Sequence, residues 1–270
     1  SDGTVSAELV PGSYSFNIQY KGGRLQKNQV ISGNPNVYFQ TSQTKVRLQD
    51  TMGNPLPGGR AQYYGGGWQD IGTTGIDGSV STELLPGTYV FNVQYKGSRF
   101  QKSQGITEDP IVVFHTAQTR VKLQDSMGNP LAGGVVQYYG GGWHDIGMTS
   151  SDGTVSTELL PGTYAFNILF RGGRLQRNQG ISLGSNPDLV FQTTQVSVGL
   201  FDSMGNPLSG GVAQYYGGGW FDIGTTGQNG SASIQLLPGS YAFSIQHKGA
   251  RIQKNQDVAL NPNVSFSTTR

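Results

Sequence analysis

The stretch Leu84-Leu85-Pro86-Gly87-Thr88-Tyr89-Val90-Phe91-Asn92-Val93-Gln94-Tyr95 sets Tyr89, Phe91, Val93 and Tyr95 on one side of an extended chain and Thr88, Val90, Asn92 and Gln94 on the other. Alternation with a period of two is the mark of a half-buried β-strand, and Pro86-Gly87 supplies the turn before it. The Pro-Gly-x-Tyr segment recurs at Pro11, Pro161 and Pro238. Upstream of it, Tyr63-Tyr64-Gly65-Gly66-Gly67-Trp68-Gln69-Asp70-Ile71-Gly72 returns from Tyr138 and again from Tyr215. The chain is a tandem repeat, and its architecture follows from the repeated unit.

Aligning Asp2-Gly3, Asp77-Gly78, Asp152-Gly153 and Asn229-Gly230 gives spacings of 75, 75 and 77 residues, with the two extra residues near Leu183 to Asn186, where a loop is expected. Met52-Gly53-Asn54-Pro55-Leu56 recurs from Met127 and from Met204, once less often than Pro-Gly-x-Tyr. The expected division is therefore an incomplete repeat at 1–42, the second half of a sandwich, followed by full repeats at 43–117, 118–194 and 195–270.

Each full repeat opens with a half-buried strand, in which Val46 and Leu48, Val121 and Leu123, or Val198 and Leu200 share a face. Asp50 to Pro55 form a reversing turn, because Gly and Asn tolerate positive φ and Pro fixes its own. A second strand runs through Arg60 to Tyr64 into the glycine triplet, where a bulge or tight hairpin is expected. Trp68 to Thr73 lead to Ile76-Asp77-Gly78-Ser79, which reads as another hairpin turn. Ser79 to Leu85, the aromatic ladder, the polar segment from Arg99 and the run Ile111 to Phe114 complete the set. About seven short strands per repeat predict a small two-layer antiparallel β-sandwich. Propeller blades and solenoid rungs are shorter than this unit. No Gly/Ser-rich or Pro-rich linker separates the repeats, so the expected arrangement is a stiff rod of all-β domains.

Composition excludes several function classes. Among 270 residues there are 42 glycines and only 13% charged residues, and the formal charge of +2 is spread along the chain. Nucleic-acid binding needs clustered Lys and Arg, so no nucleic-acid partner is expected. There is no cysteine, which excludes disulfides, thiolate metal sites and a cysteine nucleophile. No apolar run approaches the roughly 20 residues of a membrane span, and Ser1 opens no signal peptide, so the targeting segment of an exported parent would lie outside this sequence.

Gly72-Thr73-Thr74-Gly75-Ile76-Asp77-Gly78-Ser79-Val80 followed by Leu84-Leu85-Pro86-Gly87-Thr88-Tyr89-Val90-Phe91, after Val46-Arg47-Leu48-Gln49-Asp50 and Gly53-Asn54-Pro55-Leu56, resembles the transthyretin-like (prealbumin-like) sandwiches grouped as carboxypeptidase-regulatory-like and Cna-B-like domains. The resemblance spans most of each repeat and rests on turn and core residues. It implies a non-enzymatic extracellular role as a stalk, fibre or filament module of a microbial, in the first instance bacterial, surface protein. Cna-B-like domains often carry a Lys–Asn isopeptide bond. Here the column of Lys45 holds Arg120 and Ser197, that of Lys122 holds Arg47 and Gly199, and the last strand ends Phe-x-Thr without a matching Asn. No such bond is expected.

Each candidate site residue also has a plainer role. His115, His144 and His247 each stand alone in their columns, so no catalytic or zinc-binding residue is assigned. Asp50 with Asn54 offers two oxygen ligands of the kind calcium takes, but turn formation explains the recurring aspartates without it. Tyr64 and Trp68, Tyr139 and Trp143, and Tyr216 and Trp220 suit an alternative function as a carbohydrate-binding or adhesin array, since sugars stack on flat aromatic rings. Against that, tryptophan usually buries its ring in the core, and burial of the indoles is the expectation. Arg24, Arg99, Arg174 and Arg251 head a recurring polar stripe, read as a solvated strand that discourages edge-to-edge pairing, with binding of an acidic polymer or packing against the next domain as the alternatives. The expected partners are neighbouring repeats or copies of the chain, with strand addition at the incomplete first unit, and a polysaccharide under the alternative reading.

Overall fold

In a computed structural model of the chain the described residues are 3–32, 36–184 and 188–269. Asp2 of the repeat alignment, and Ser185 and Asn186 of the expected insertion, lie outside them. The chain forms two compact units, Ser1–Thr116 and Ala117–Arg270.

The first unit begins with a hairpin of β1 (Gly12–Tyr20) and β2 (Gly23–Ile31). It continues through β3 (Ser42–Gln49), β4 (Arg60–Tyr64), β5 (Trp68–Thr73), β6 (Ser79–Leu84), β7 (Thr88–Tyr95), β8 (Ser98–Gly105) and β9 (Ile111–His115). The second unit holds this set twice. Its first copy comprises β10 (Ala117–Gln124), β11 (Val135–Tyr139), β12 (Trp143–Met148), β13 (Thr154–Leu159), β14 (Gly162–Phe170), β15 (Gly173–Ile181) and β16 (Leu189–Gln192). Its second comprises β17 (Thr194–Phe201), β18 (Val212–Tyr216), β19 (Trp220–Thr225), β20 (Ser231–Leu236), β21 (Ser240–His247), β22 (Ala250–Asp257) and β23 (Asn263–Ser267).

Each seven-strand set makes a four-stranded sheet, ordered β5-β4-β7-β8 in the first, and a three-stranded sheet, ordered β6-β3-β9. The ladder strand β7 is central and its alternation is realised: Tyr89, Phe91 and Val93 are buried. Val46, Leu48, Leu84, Val112 and Phe114 of the three-stranded sheet are buried as well. In the second unit one apolar cluster joins Val121, Leu123, Leu159 and Phe191 of one layer to Tyr138, Tyr164, Phe166 and Ile168 of the other, and a second joins Val198, Leu200 and Phe266 to Tyr215, Phe243 and Ile245. Two sheets facing each other across a shared apolar layer are a β-sandwich.

Two expectations are corrected. The Ile76-Asp77-Gly78-Ser79 turn does not close a hairpin, because β5 is an edge of the four-stranded sheet and β6 an edge of the three-stranded one; the chain changes layer there. A buried threonine fixes this corner: Thr74 Oγ1 donates to the Leu56 carbonyl and accepts from the Gly59 N–H, both at 2.9 Å. Thr149 and Thr226 repeat both bonds. The sandwich is also not antiparallel throughout. β3 and β9 pair in parallel, Val46 beside Val112 and Leu48 beside Phe114, as do β10 with β16 and β17 with β23. Side-chain parity fixes which face a residue occupies and is blind to strand direction.

The polar column after the first arginine also has structural work. Lys102 lies 5.5 Å from the Phe114 ring centroid, Arg177 5.6 Å from Phe191 and Lys254 5.8 Å from Phe266. Arg177 and Lys254 also donate to the carbonyls of Val190 and Ser265. These cations span from one sheet to the last strand of the other, and desolvation there holds the Lys102 ammonium below the ordinary lysine range.

Asp50 caps the first turn. Its Oδ1 accepts from the N–H groups of Met52 and Asn54 at 2.9 and 2.8 Å, and its Oδ2 from the Asn54 amide at 2.9 Å. The side-chain bond from the asparagine is the main reason Asp50, Asp125 and Asp202 all sit below the usual carboxylate range. A lowered folded-state pKa contributes stability above the unfolded value, about 3.9, and loses it as pH falls through the folded value. The chain is therefore expected to lose stability in acid below about pH 4. Chemical denaturation across this range should show a shallower acid loss in the D50N/D125N/D202N variant.

Candidate functional site

The repeated Tyr-Tyr-Gly-Gly-Gly-Trp segment is the hairpin between β4 and β5, with Tyr64 directly opposite Trp68. Adjacent residues of a strand face opposite ways. Tyr63 thus enters the core, 3% exposed, with its ring edge-on to Tyr89 at 5.9 Å, while Tyr64 stands outside at 50%.

The three glycines have three different surroundings. A Cβ on Gly65 would lie 2.7 Å from the Lys21 carbonyl oxygen, so this glycine receives the tip of the β1–β2 hairpin. Gly66 has φ +80°, in the left-handed region that favours glycine. Gly67 has no neighbour within 4 Å of a Cβ and no positive φ. Around the sharp chain reversal the Gly65 N–H donates to the Gly67 carbonyl. The predicted tight hairpin is thus present; the bulge lies further along, where the register shifts between Ala61 and Gln62.

The contact at Gly65 is a joint between consecutive repeats. The β1–β2 tip is a two-residue turn with Lys21 at φ 47° and Gly22 at φ 78°. A Cβ on Gly22 would lie 2.1 Å from the Gly65 carbonyl oxygen, and one on Gly23 2.2 Å from the Tyr89 hydroxyl oxygen. The same joint forms inside the second unit. There Gly172 sits against Gly217 with a Cβ distance of 2.0 Å, and Gly173 sits 2.0 Å from the Tyr241 hydroxyl oxygen by the same measure. Backbone meets backbone, leaving no room for any side chain. Lys21 Nζ donates to Thr82 at 2.9 Å, and Arg171 to the Gln235 carbonyl at 3.3 Å. Gln235 also bonds Thr193 and Ser126 of the preceding copy at 2.7 and 3.0 Å. Tyr241 donates to the Leu237 carbonyl at 2.9 Å, and burial pushes its phenol up to about 12. Beside this joint Arg171, Tyr215, Phe221, Asp222 and Gln235 line an open groove of about 670 Å3. Phe221 replaces Gln69 and His144 of the other copies.

The outer face of the hairpin overturns one expectation. Trp68, Trp143 and Trp220 are not in the core: they are 38%, 42% and 36% exposed. Register explains it, since each is the cross-strand partner of the outward tyrosine. Each indole stands edge-on to that ring, at 5.7, 5.6 and 5.6 Å. The next outward row crosses the sheet as Asp70, Gln62, Asn92 and Gln101. Asn92 donates to Gln62 at 3.0 Å, and Gln137 and Gln214 donate to Asp145 and Asp222 at 2.8 and 2.7 Å. The Oδ1 atoms of Asn92 and Asn167 are buried without a hydrogen-bond partner.

The arginine stripe lies on the hairpin edge strands β2, β8, β15 and β22. Arg251 departs from the solvated role: its guanidinium lies 5.0 Å from the Trp220 ring centroid and donates to Ser244 and Gln214. Both carboxylate oxygens of Asp50, Asp125 and Asp202 are engaged by turn hydrogen bonds. Among the described residues no group of three or more His, Asp or Glu is placed to hold a metal.

No protein-family model matches the sequence, and no curated protein matches it. Solved structures similar to the chain include the Bacillus anthracis TIE protein, at 14% identity and a TM-score of 0.27, with 96% of this chain and 58% of that one covered. The Streptococcal ancillary pilin matches at 11% identity and a TM-score of 0.27, over 84% of this chain and 98% of that one. BcpA, the major pilin subunit of Bacillus cereus, matches at 12% and 0.24, over 85% and 99%. The chain spans a little over half the length of the TIE protein. At these values the fold assignment rests on the strands, registers and shared cores described above.

Proposed function

We propose that the chain is a non-enzymatic structural module of a microbial surface protein, a segment of a stalk or fibre built from transthyretin-like sandwiches. The observation that carries this reading is the joint, in which the tip of one repeat closes on the first glycine of the next, in the first unit at Gly22 and Gly65 and in the second at Gly172 and Gly217. A backbone-to-backbone contact with polar bonds around it restrains a junction far more than a bare linker does. Repetition of such a unit is how solenoid-like arrays gain reach while each repeat contacts only its neighbours.

The reading divides the chain into 1–42, 43–117, 118–194 and 195–270, places it outside the cell and gives it other repeats or further copies as partners. Strand addition beside the β1–β2 hairpin belongs to this reading, supported by Tyr14, Phe16 and Ile18, which are half-buried there. Their counterparts Tyr89, Phe91 and Val93 are fully buried. Among the described residues no helix is long and apolar enough to cross a membrane. Small-angle X-ray scattering of the 28.8 kDa chain tests the role: the expected profile is that of a stiff, elongated particle. A compact particle, or one that scatters as flexibly tethered beads, would overturn it.

A further inference from the structure

We propose that the outer face of the Tyr-Tyr-Gly-Gly-Gly-Trp hairpin, with the amide row beside it, binds a neutral polysaccharide, one segment per repeat. This site is independent of the stalk role and stands or falls separately.

Three observations converge on it. First, the indoles are exposed and fixed: each is held edge-on by its tyrosine, which leaves part of its surface open to solvent. A large aromatic kept at the surface in every copy is unusual for a residue that normally gains stability by burial. Second, Gly67 and Gly142 adjoin the indole with ordinary φ and no atom within 4 Å of a Cβ. Nothing in the described structure requires glycine there, whereas a flat ligand on the neighbouring ring requires the absence of a side chain. Third, the copies have diverged around the site while keeping it. Arg60 becomes Val135 and Val212, and Gln69 becomes His144 and Phe221. The outward set Gln62, Tyr64, Trp68 and Asp70 is the same in all three.

The chemistry of that set selects the ligand class. A pyranose ring packs its C–H face on an indole while its rim hydroxyls need both donors and acceptors. Asp70, Gln62 and Gln101 of the row, which reach the surface, supply both. In the second copy Trp143 and Tyr139 stand beside Ala165 and Asn178, a small residue followed by an amide, in the same row across the sheet. A carboxylate stands in each row, in the first copy paired with Arg60 at 2.9 Å, so the row itself offers no unpaired cation to an acidic polymer. The open, shallow shape and the threefold repetition suit a chain-like ligand held by avidity. The third copy is the weak one: Arg251 already covers the Trp220 face, and Ser244 replaces the asparagine.

The chain has three tryptophans, all at this site, so indole fluorescence reports on nothing else. The test is native affinity electrophoresis of the whole chain in gels containing hydroxyethylcellulose, glycogen, galactomannan or laminarin, with alginate as the acidic comparison, followed by fluorescence titration with the retarding polymer. Retardation by at least one neutral polymer is expected. W68A and W143A should each weaken it roughly tenfold and W220A by less, the scale of one aromatic contact. W68A/W143A/W220A should abolish it. G67V/G142V, which adds side chains where the fold has space, should reduce binding with the indoles and the fold retained, so a loss cannot be ascribed to misfolding. Retardation by none of the neutral polymers, by alginate alone, or undiminished in the triple tryptophan variant, would overturn the proposal.

Discussion

Replacing Phe166 by alanine is expected to lower the stability of its repeat by about 3–5 kcal/mol, the range for truncating a large buried aromatic. Phe166 is fully buried on the central strand β14, between β11 and β15, and belongs to the cluster that joins the two sheets. Small domains have about 5–15 kcal/mol in total, so one such cavity removes much of the margin. Phe91 and Phe243 occupy the same position in the other copies and are equally buried. Urea denaturation of F166A, followed by circular dichroism, should show an early transition for the altered repeat. A loss below about 1 kcal/mol would mean that the ladder is not the centre of the fold. By contrast W143A, at an exposed site, should fall within about 0.5 kcal/mol of the parent chain.

The second large effect is expected at the joint. Gly172→Ala puts a Cβ 2.0 Å from the Gly217 carbonyl oxygen, a clash with backbone that no rotamer change relieves. It also forces a side chain into φ +74°, which alone costs about 1–3 kcal/mol. The two repeats of the second unit should then separate at this contact while each keeps its own core. Scanning calorimetry is expected to resolve distinct transitions for them, and limited proteolysis should cut near Thr193 to Gln195. Gly142→Ala is the control, because its Cβ meets nothing within 4 Å and should leave both measurements unchanged. Equal behaviour of the two variants would remove the joint as a structural device.

These two sites differ in how far the sequence reveals them. The ladder was legible because its information is local: period-two alternation of Tyr89, Phe91 and Val93 fixes which face is buried whatever surrounds it. The Asp50 turn was legible for the same reason. The first glycine of the triplet was not, since what excludes a side chain at Gly65 is the carbonyl oxygen of Lys21, more than forty residues upstream. Average burial preference points the tryptophans inward, but strand parity wins: once Tyr63 is inside, Tyr64 and its partner Trp68 must be outside. Parallel pairing of β3 with β9 has no local signature at all. The buried Thr74 was present in the quoted Gly-Thr-Thr motif, yet its two bonds to a loop fifteen or more residues away become visible only when the corner is folded.

The parallel pair has a mechanical consequence for each repeat. Because β3 enters and β9 leaves side by side in the same direction, tension applied through the two ends of a repeat runs along their shared hydrogen bonds, from Lys45 beside Ile111 to Gln49 beside His115. Those bonds are loaded together in shear and must yield at once, where a hairpin pulled open at its ends would unzip one bond at a time. A sandwich threaded this way resists a pull along its chain best where the chain itself enters and exits.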